Sequence, residues 1–318
     1  MSDKPRLVCI AGLTASGKSS LALTLAEALP AGILSVDSMQ VYRGFDIGTA
    51  KPSLTEQRRV PHFGIDLVEP AERYSAGAFL AYARDILMAQ AAAGRHVIAV
   101  GGTGLYLKAL LHGLGAAAPA DPVVRERLRR AESETPGAMF AQLSEVDPVS
   151  AARLHRNDLV RVERALEVHA LTGVPMSAWQ EQHRFTERPF DTLILGLRRD
   201  RATQRRRIRA RLEAMMEAGW IEEVAGLLAA GVHEGMTPMV ALGYRDIAAH
   251  LRGEIDRPDL LARIERDSMR FARRQTTWFN RQPSIHWLEP GPDLAERLLP
   301  SIRGFLNGEG VAPLAEST

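Results

Sequence analysis

The stretch Val8-Cys-Ile-Ala-Gly-Leu-Thr-Ala-Ser-Gly-Lys-Ser-Ser-Leu21 decides the fold, because an apolar run breaks into a glycine turn and then opens a helix. Gly12, four intervening residues and Gly17-Lys18-Ser19 fit the Walker A spacing, in which glycines let successive backbone N–H groups converge on phosphate oxygens at a helix N-terminus. Lys18 adds a point charge to that cradle, and Ser19 adds a hydroxyl suited to Mg²⁺. Gly12, Thr14, Ala15, Ser16, Gly17, Lys18 and Ser19 are therefore the expected phosphate-binding set.

Working outward, residues 18–29 read as an Ala- and Leu-rich helix stopped by Pro30 and Gly32. Ile33-Leu34-Ser35-Val36 reads as a buried strand ending at Asp37, and a polar loop follows that is too long for a simple connection. Gly64-Ile65-Asp66-Leu67-Val68 reads as a third strand. Ser75 is the expected N-cap of a helix ending at Gly94. His96-Val97-Ile98-Ala99-Val100 then breaks into a second glycine turn, Gly101-Gly102-Thr103-Gly104, before a helix from Leu105. Strands alternating with helices imply a parallel sheet with right-handed crossovers, and ligands of such sheets bind beyond the carboxyl ends of the strands. The cradle, Asp37 and Thr103 all fall at that edge.

The run from Gly113 to Ala120 is a linker by composition, and after it the strand pattern stops. Helices are expected over residues 122–134, 138–146, 149–154 and 158–171, and a strand returns at residues 192–197. The expected organisation is thus a P-loop α/β core over residues 1–118, an all-helical insertion over 119–190, and the remainder of the core over 191–318. In that remainder an Arg-rich helix from Asp200 is followed by a helix over residues 222–230 and a short turn, Ala241-Leu-Gly-Tyr-Arg245. A long helix then runs from Leu260 into Phe271-Ala-Arg-Arg-Gln-Thr-Thr-Trp278-Phe279. A last strand, Ile285-His286-Trp287-Leu288, precedes an acidic tail.

Composition narrows the function classes. The 318 residues carry a net charge of +2, with 46% hydrophobic and 25% charged residues. No apolar run reaches bilayer length and no apolar signal region precedes the first strand, so a cytoplasmic protein without a membrane span is expected. The lone cysteine, Cys9, excludes a disulfide or a cysteine metal site within the chain and reads as a small core residue. Charge is uneven: residues 199–281 hold 16 Arg against 12 Asp and Glu, which makes a basic face for a polyanion plausible. Arg interleaved with aromatics around Arg273 and Arg274 suits ribose, base and phosphate contacts, and equally a helix whose Phe and Trp face the core.

The role of Asp37 separates the enzyme classes. It can close a Walker B strand and hold Mg²⁺ through water, as in a kinase, or act as a general base. The Ser38-Met39-Gln40-Val41-Tyr42 run after it offers amide and hydroxyl groups suited to a base edge rather than a phosphate chain.

Seven segments together carry a family resemblance. They are Gly-Leu-Thr-Ala-Ser-Gly-Lys-Ser19, Asp37-Ser-Met-Gln-Val-Tyr-Arg-Gly44, Asp46-Ile-Gly-Thr-Ala-Lys-Pro52, Gly101-Gly-Thr-Gly-Leu-Tyr-Leu107, Asn157-Asp-Leu-Val-Arg161 with Arg164-Ala-Leu-Glu167, Ala241-Leu-Gly-Tyr-Arg245, and Arg273-Arg-Gln-Thr-Thr-Trp-Phe279. On these the chain resembles the bacterial tRNA dimethylallyltransferases, also called tRNA isopentenyltransferases, from residue 8 to about residue 280. Leu13, Ser19, Phe45 and Asn280 depart from the usual Pro, Thr, Met and Arg without removing a group the chemistry requires.

The resemblance implies transfer of a dimethylallyl group from dimethylallyl diphosphate to N6 of adenosine 37 in tRNAs reading codons that begin with U. The cradle then binds a diphosphate. Asp37 would accept the amine proton, while Lys18, Thr103, Arg245 and Mg²⁺ held through Ser19 would stabilise the departing diphosphate. The resemblance also implies contacts to the tRNA anticodon stem-loop at Asp37, Ser38, Met39, Gln40, Thr103, Arg125, Asn157, Asp158, Leu159, Val160 and Arg161. We extend that surface to Arg273, Arg274 and Gln275, and expect a monomer. A P-loop kinase of a nucleoside or small metabolite, a prenyltransferase of free adenylates and a non-catalytic RNA-binding module are the competing readings.

Overall fold

The computed structural model describes residues 4–114, 120–183, 187–282 and 284–309. Most of the linker expected between residues 113 and 120, the boundary at 118/119 and the end of the tail lie outside them. The chain divides into two compact units, Met1–Leu111 with Pro189–Thr318, and His112–Arg188.

The first unit opens with β1 (Arg6–Gly12), α1 (Lys18–Ala28), β2 (Ala31–Val36), α2 (Leu54–Arg59), β3 (His62–Phe63), α3 (Ala76–Ala92), β4 (His96–Gly101) and α4 (Gly104–His112). The second unit is all helical: α5 (Pro122–Glu134), α6 (Ala138–Val146), α7 (Pro148–Ala151), α8 (Leu159–Thr172) and α9 (Met176–His183). The chain returns with β5 (Asp191–Leu197), α10 (Arg201–Glu217), α11 (Trp220–Ala229), a 3-10 turn over Thr237–Val240, α12 (Tyr244–Leu251), α13 (Arg257–Phe279), β6 (Ile285–Leu288) and α14 (Leu294–Asn307).

The six strands form one sheet in the order β3-β2-β4-β1-β5-β6, parallel at every pairing. Alternation along β1 shows why its apolar run is nearly continuous. Val8 and Ile10 pack with Leu25 of α1 and Leu298 and Ile302 of α14, whereas Leu7, Cys9 and Ala11 pack with Phe79 of α3 and Leu107 and Leu110 of α4. Both faces are covered, so both residue parities must be apolar. Since β1 and β4 are neighbours and their following helices lie on opposite faces, the crevice between them is a topological switch point, where open α/β sheets bind ligands. A third core gathers Val41, Tyr42 and Phe45 from the loop after β2 onto Trp220, Tyr244, Leu260 and Ile264.

The helical unit has its own small core of Leu128, Met139, Leu143, Val162, Ala165 and Leu166. Asp121 and Asp158 cap α5 and α8 through their carboxylates, and Gly173 ends α8 in a left-handed conformation with φ of 72°.

Three expectations need correction. The segment 64–68 is not a strand: Gly64 and Asp66 have φ of 80° and 51°, which no strand tolerates, and β3 is confined to His62–Phe63. Instead the segment returns along the loop after β2, where the amides of Asp66 and Leu67 donate to Gln40 O (3.1 Å) and Val41 O (2.7 Å). Second, no helix is expected between residue 171 and the strand at 192–197, yet α9 forms directly after Pro175; proline sits comfortably just ahead of a helix because its missing N–H is not needed there. Third, what reads as an acidic tail contains α14, whose Leu294, Leu298, Ile302 and Leu306 bury against the sheet despite Pro300. The stretch 241–245 is a turn that runs directly into α12, with Gly243 at φ of 88° as its hinge.

Candidate active site

Three loops leave adjacent strand ends. After β1, Gly12 takes φ of 152°, and a Cβ there would lie 2.9 Å from Leu197 O; Gly17 precedes α1 with φ of 100°. The loop between them is braced by side chains from the far end of the sequence. Thr14 N–H donates to Gln275 Oε1 (2.8 Å), and Gln204 Nε2 donates to Thr14 O. Arg207 Nε donates to Ala15 O (2.9 Å), and Arg199 Nε to Ser16 O (3.3 Å). Ser16 itself is fully buried, and its hydroxyl has no hydrogen-bond partner among the described residues.

After β2, Asp37 Oδ1 accepts the amides of Met39 (2.8 Å) and Gln40 (3.4 Å). After β4, Thr103 Oγ1 accepts the Ser38 amide (3.1 Å), which ties the second glycine turn to the Asp37 segment. The cradle, Asp37 and Thr103 therefore meet at one sheet edge, as their strand-end positions require.

These loops wall a cavity of about 530 Å³ lined by Lys18, Ser19, Asp37, Gln40, Arg207 and Arg211, among others. Burial pushes the Lys18 ammonium down to about 8, with Arg211 adding to the shift and Asp37 opposing it. Burial likewise lowers Arg211, against the pull of Asp37. Arg211 NH1 also donates to Thr14 Oγ1 (3.3 Å). Lys18, Arg207 and Arg211 on this concave wall make an anion site, and Asp37 is the lining carboxylate whose electrostatic pull reaches both Lys18 and Arg211; Asp46 and Glu56 also line the cavity.

No group of three or more His, Cys, Asp or Glu among the described residues could cage a metal. The Ser19 hydroxyl on the cavity wall is nevertheless the hard oxygen donor that Mg²⁺ takes when diphosphate oxygens and water supply its remaining ligands.

Several expected residues are placed otherwise. Arg245 is outside the cavity lining: Tyr244 begins α12 with its ring fully buried against Trp220 and Phe45, and the next residue, about 100° around the helix, points to solvent. Its NH2 donates to Glu234 O (2.9 Å). Arg211, by contrast, lines the cavity. Gln275 is 6% exposed and lines the cavity, and its amide bridges the cradle to Gly102 O (3.0 Å), so the structure shows it as a brace. Gln40 is engaged internally as well, through Ser35 Oγ (2.7 Å) and the carbonyls of Thr49 and Ala50 (3.0 Å each). Arg273 and Arg274 are exposed on α13, with Arg274 over the Phe271 ring at 5.6 Å.

Within the helical unit Arg125 makes a bidentate pair with the buried Glu167 (2.7 and 2.9 Å). Burial works to raise the Glu167 carboxyl, but hydrogen bonds from Arg125, Arg164 and the Asp121 amide hold it at about 2. Asn157 is exposed ahead of α8, Asp158 caps that helix and pairs with Arg161 (3.4 Å), and Leu159 and Val160 are exposed on its first turn. These form a surface patch rather than a cavity.

Reading the chain places Arg207 and Arg211 in an arginine cluster able to line a phosphate path, without telling them from their neighbours, and does not single out Gln204. Spacings of three and four put all three on one face of α10, a polar stripe hidden within a run of arginines that all look alike in sequence.

The IPP transferase family profile matches residues 40–282. A tRNA dimethylallyltransferase of Geobacter metallireducens is 45% identical over 304 residues, covering 95% of this chain and 98% of its own. One from Geobacter sulfurreducens is 45% identical over 90% of this chain and 93% of its own. Among solved structures, the tRNA isopentenylpyrophosphate transferase of Bacillus halodurans superposes with a TM-score of 0.71 at 33% identity, covering 96% of this chain and 98% of its own. A eukaryotic dimethylallyltransferase acting on tRNA superposes with a TM-score of 0.84 at 25% identity, over 98% of this chain and 81% of its own. With a glycine-rich turn, Lys18 and Asp37 brought together at the strand ends of its sheet, and with relatives aligned over nearly its whole length, the chain belongs to the IPP transferase family.

Proposed function

We propose that the chain transfers a dimethylallyl group from dimethylallyl diphosphate to N6 of adenosine 37 in tRNAs reading codons that begin with U, releasing diphosphate and N6-dimethylallyladenosine. The observation that carries the reading is the convergence of the cradle and Asp37 on one cavity in a chain whose relatives bear that activity's name.

The chemistry follows from the side chains. An exocyclic adenine amine is a poor nucleophile, and Asp37, at the cavity margin, takes its proton as the new C–N bond forms. As the allylic C–O bond breaks, charge accumulates on diphosphate oxygens facing Lys18, Arg211 and the cradle amides. Mg²⁺ held through Ser19 would supply further charge neutralisation. Arg211 here takes the part first expected of Arg245, because the latter is outside the cavity. Thr103 acts one step removed, holding the Ser38 amide and with it the Asp37 turn.

Adenosine 37 must leave its stack to reach the cavity, at a cost of about a few kcal/mol that backbone contacts offset. Ser38, Met39 and the exposed patch from Asn157 to Arg161 are the proposed contacts to the anticodon stem-loop, joined by Arg273 and Arg274. Arg125 joins them where its guanidinium can serve Glu167 and a phosphate together. We take the chain to act as a monomer in the cytoplasm; no helix among the described residues is long and apolar enough to cross a membrane.

The test is incubation of the purified protein with Mg²⁺, labelled dimethylallyl diphosphate and unmodified tRNA, followed by nucleoside analysis. Label on adenosine 37 at N6, with ATP unconsumed when present, is the expected result. ATP turnover without prenyl transfer would instead establish the kinase reading.

A further inference from the structure

Glu223 lies on α11, outside the cavity lining, yet its carboxylate gathers four donors. Oε2 accepts the amides of Asp46 (3.0 Å) and Ile47 (2.6 Å), and Oε1 accepts the amide of Gly48 (3.4 Å) and the Tyr244 hydroxyl (2.7 Å). Three consecutive amides converging on one carboxylate fix the turn they belong to, since charge-assisted hydrogen bonds are about twice as strong as neutral ones. Packing fixes it from the other side: a Cβ on Gly48 would lie 2.5 Å from the Tyr244 ring and closer still to Trp220, so the backbone rests directly on the aromatic pair. Burial and the adjacent Glu223 raise the Tyr244 phenol, which keeps it a donor.

From this anchored turn the chain runs straight into the cavity wall, where Ile47, Thr49, Ala50 and Lys51 are lining residues. The Thr49 and Ala50 carbonyls accept from the Gln40 amide, three residues beyond Asp37. Lys51, its side chain 3% exposed, ties Asp66 (2.6 Å) to Tyr42 O (2.8 Å) and so closes the same loop on itself. The cradle is held independently, by α10 and Gln275.

We infer that Glu223 is a positioning residue for the transfer: through the Asp46–Gly48 turn and Gln40 it sets the Asp37 segment where the acceptor adenine is read, without touching substrate. The inference rests on the activity proposed above. A neutral amide at this position would turn an NH₂ group toward at least one backbone N–H, so Glu223→Gln breaks the nest with little change of volume.

The test compares full-length wild type with Glu223→Gln, Tyr244→Phe and, as a control, Glu222→Ala, an exposed neighbour on the same helix. Misplacement of a reacting group by about 1 Å can cost about 100-fold. Glu223→Gln should accordingly lower kcat and kcat/KM for tRNA by about 10- to 100-fold, Tyr244→Phe by less, and Glu222→Ala by under about twofold. KM for dimethylallyl diphosphate at saturating tRNA should stay within about twofold of wild type, because the cradle does not depend on Glu223. Hydrogen exchange at the amides of residues 46–48 should accelerate in Glu223→Gln. Wild-type kcat and tRNA KM in that variant, or an equal rise in both KM values, would overturn the inference. An inactive wild type would instead refute the proposed activity, and the exchange rates would still judge Glu223: unchanged protection of residues 46–48 would remove it as their anchor.

Discussion

Placing an alanine at Gly102 should destabilise the protein by an amount that disappears when Gln275 is also removed. Gln275 is buried, and its amide satisfies the Thr14 N–H at 2.8 Å and Gly102 O at 3.0 Å. A Cβ on Gly102 would overlap Gln275 Nε2; the next neighbours, Gly12 O at 3.3 Å and Gln275 Cδ at 3.4 Å, need only slight adjustment. The alanine must therefore expel the amide, which strands the half-buried Thr14 N–H and the buried Gly102 C=O. At about 1–3 kcal/mol for each stranded group, Gly102→Ala should cost about 2–4 kcal/mol, and Gln275→Ala a similar amount plus a small cavity. In the double variant the alanine methyl enters space the amide has vacated and no further hydrogen bond is broken. The double should cost little more than Gln275→Ala alone, a coupling of about 2–3 kcal/mol measurable by urea unfolding of the four proteins. Costs that add within about 0.5 kcal/mol would refute the claim that Gln275 is the crossbar between the two glycine turns. Both single variants should also raise KM for dimethylallyl diphosphate, since Thr14 belongs to the cradle.

Three further outcomes follow from the site. Lys18 titrates near 8 in the folded protein and near 10.5 unfolded, so the folded state binds fewer protons between those values and stability should rise with pH across that window. Diphosphate favours the charged form, so its binding should weaken as pH rises through about 8; calorimetry in two buffers near pH 8.5 should show proton uptake that Lys18→Met abolishes. Arg211→Ala should lower kcat by about 100- to 1000-fold, as loss of a transition-state donor does, whereas Arg245→Ala should stay within a few-fold in the same assay. Replacing both Arg273 and Arg274 with Ala should flatten the slope of log affinity for tRNA against log salt by about 0.7 for each phosphate the pair neutralises; an unchanged slope would remove them from the interface.

Much of this architecture is legible in the chain because local signals and global packing agree. The strand ends at Gly12, Asp37 and Thr103 are marked by glycine or by the break of an apolar run, and a parallel sheet leaves one edge for all of them. Ser75, Asp121 and Asp158 announce helix starts through side chains that can accept a backbone amide. What stays hidden depends on rotation and distance. Arg245 sits in a motif beside a buried Tyr244, and only the helix phase shows that its guanidinium points away from the cavity. Gln275 and Arg273 are two residues apart in sequence, yet one braces the cradle and the other faces solvent. The strand expected at 64–68 fails because left-handed residues at Gly64 and Asp66 send the chain back to the Asp37 loop, a tertiary pairing without a local sequence mark.

The central claim is that Asp37 acts as the base toward the acceptor amine while the cradle holds the leaving diphosphate. The most direct test is the single-turnover rate of prenyl transfer with saturating tRNA and labelled dimethylallyl diphosphate, for wild type and Asp37→Asn. The asparagine keeps an oxygen for the Met39 and Gln40 amides but cannot take a proton. The account expects unchanged diphosphate affinity and a rate lower by about 100- to 10,000-fold, the usual worth of a positioned base. A variant that transfers at the wild-type rate would contradict it, and a loss confined to Mg²⁺-dependent diphosphate binding would make Asp37 a metal ligand.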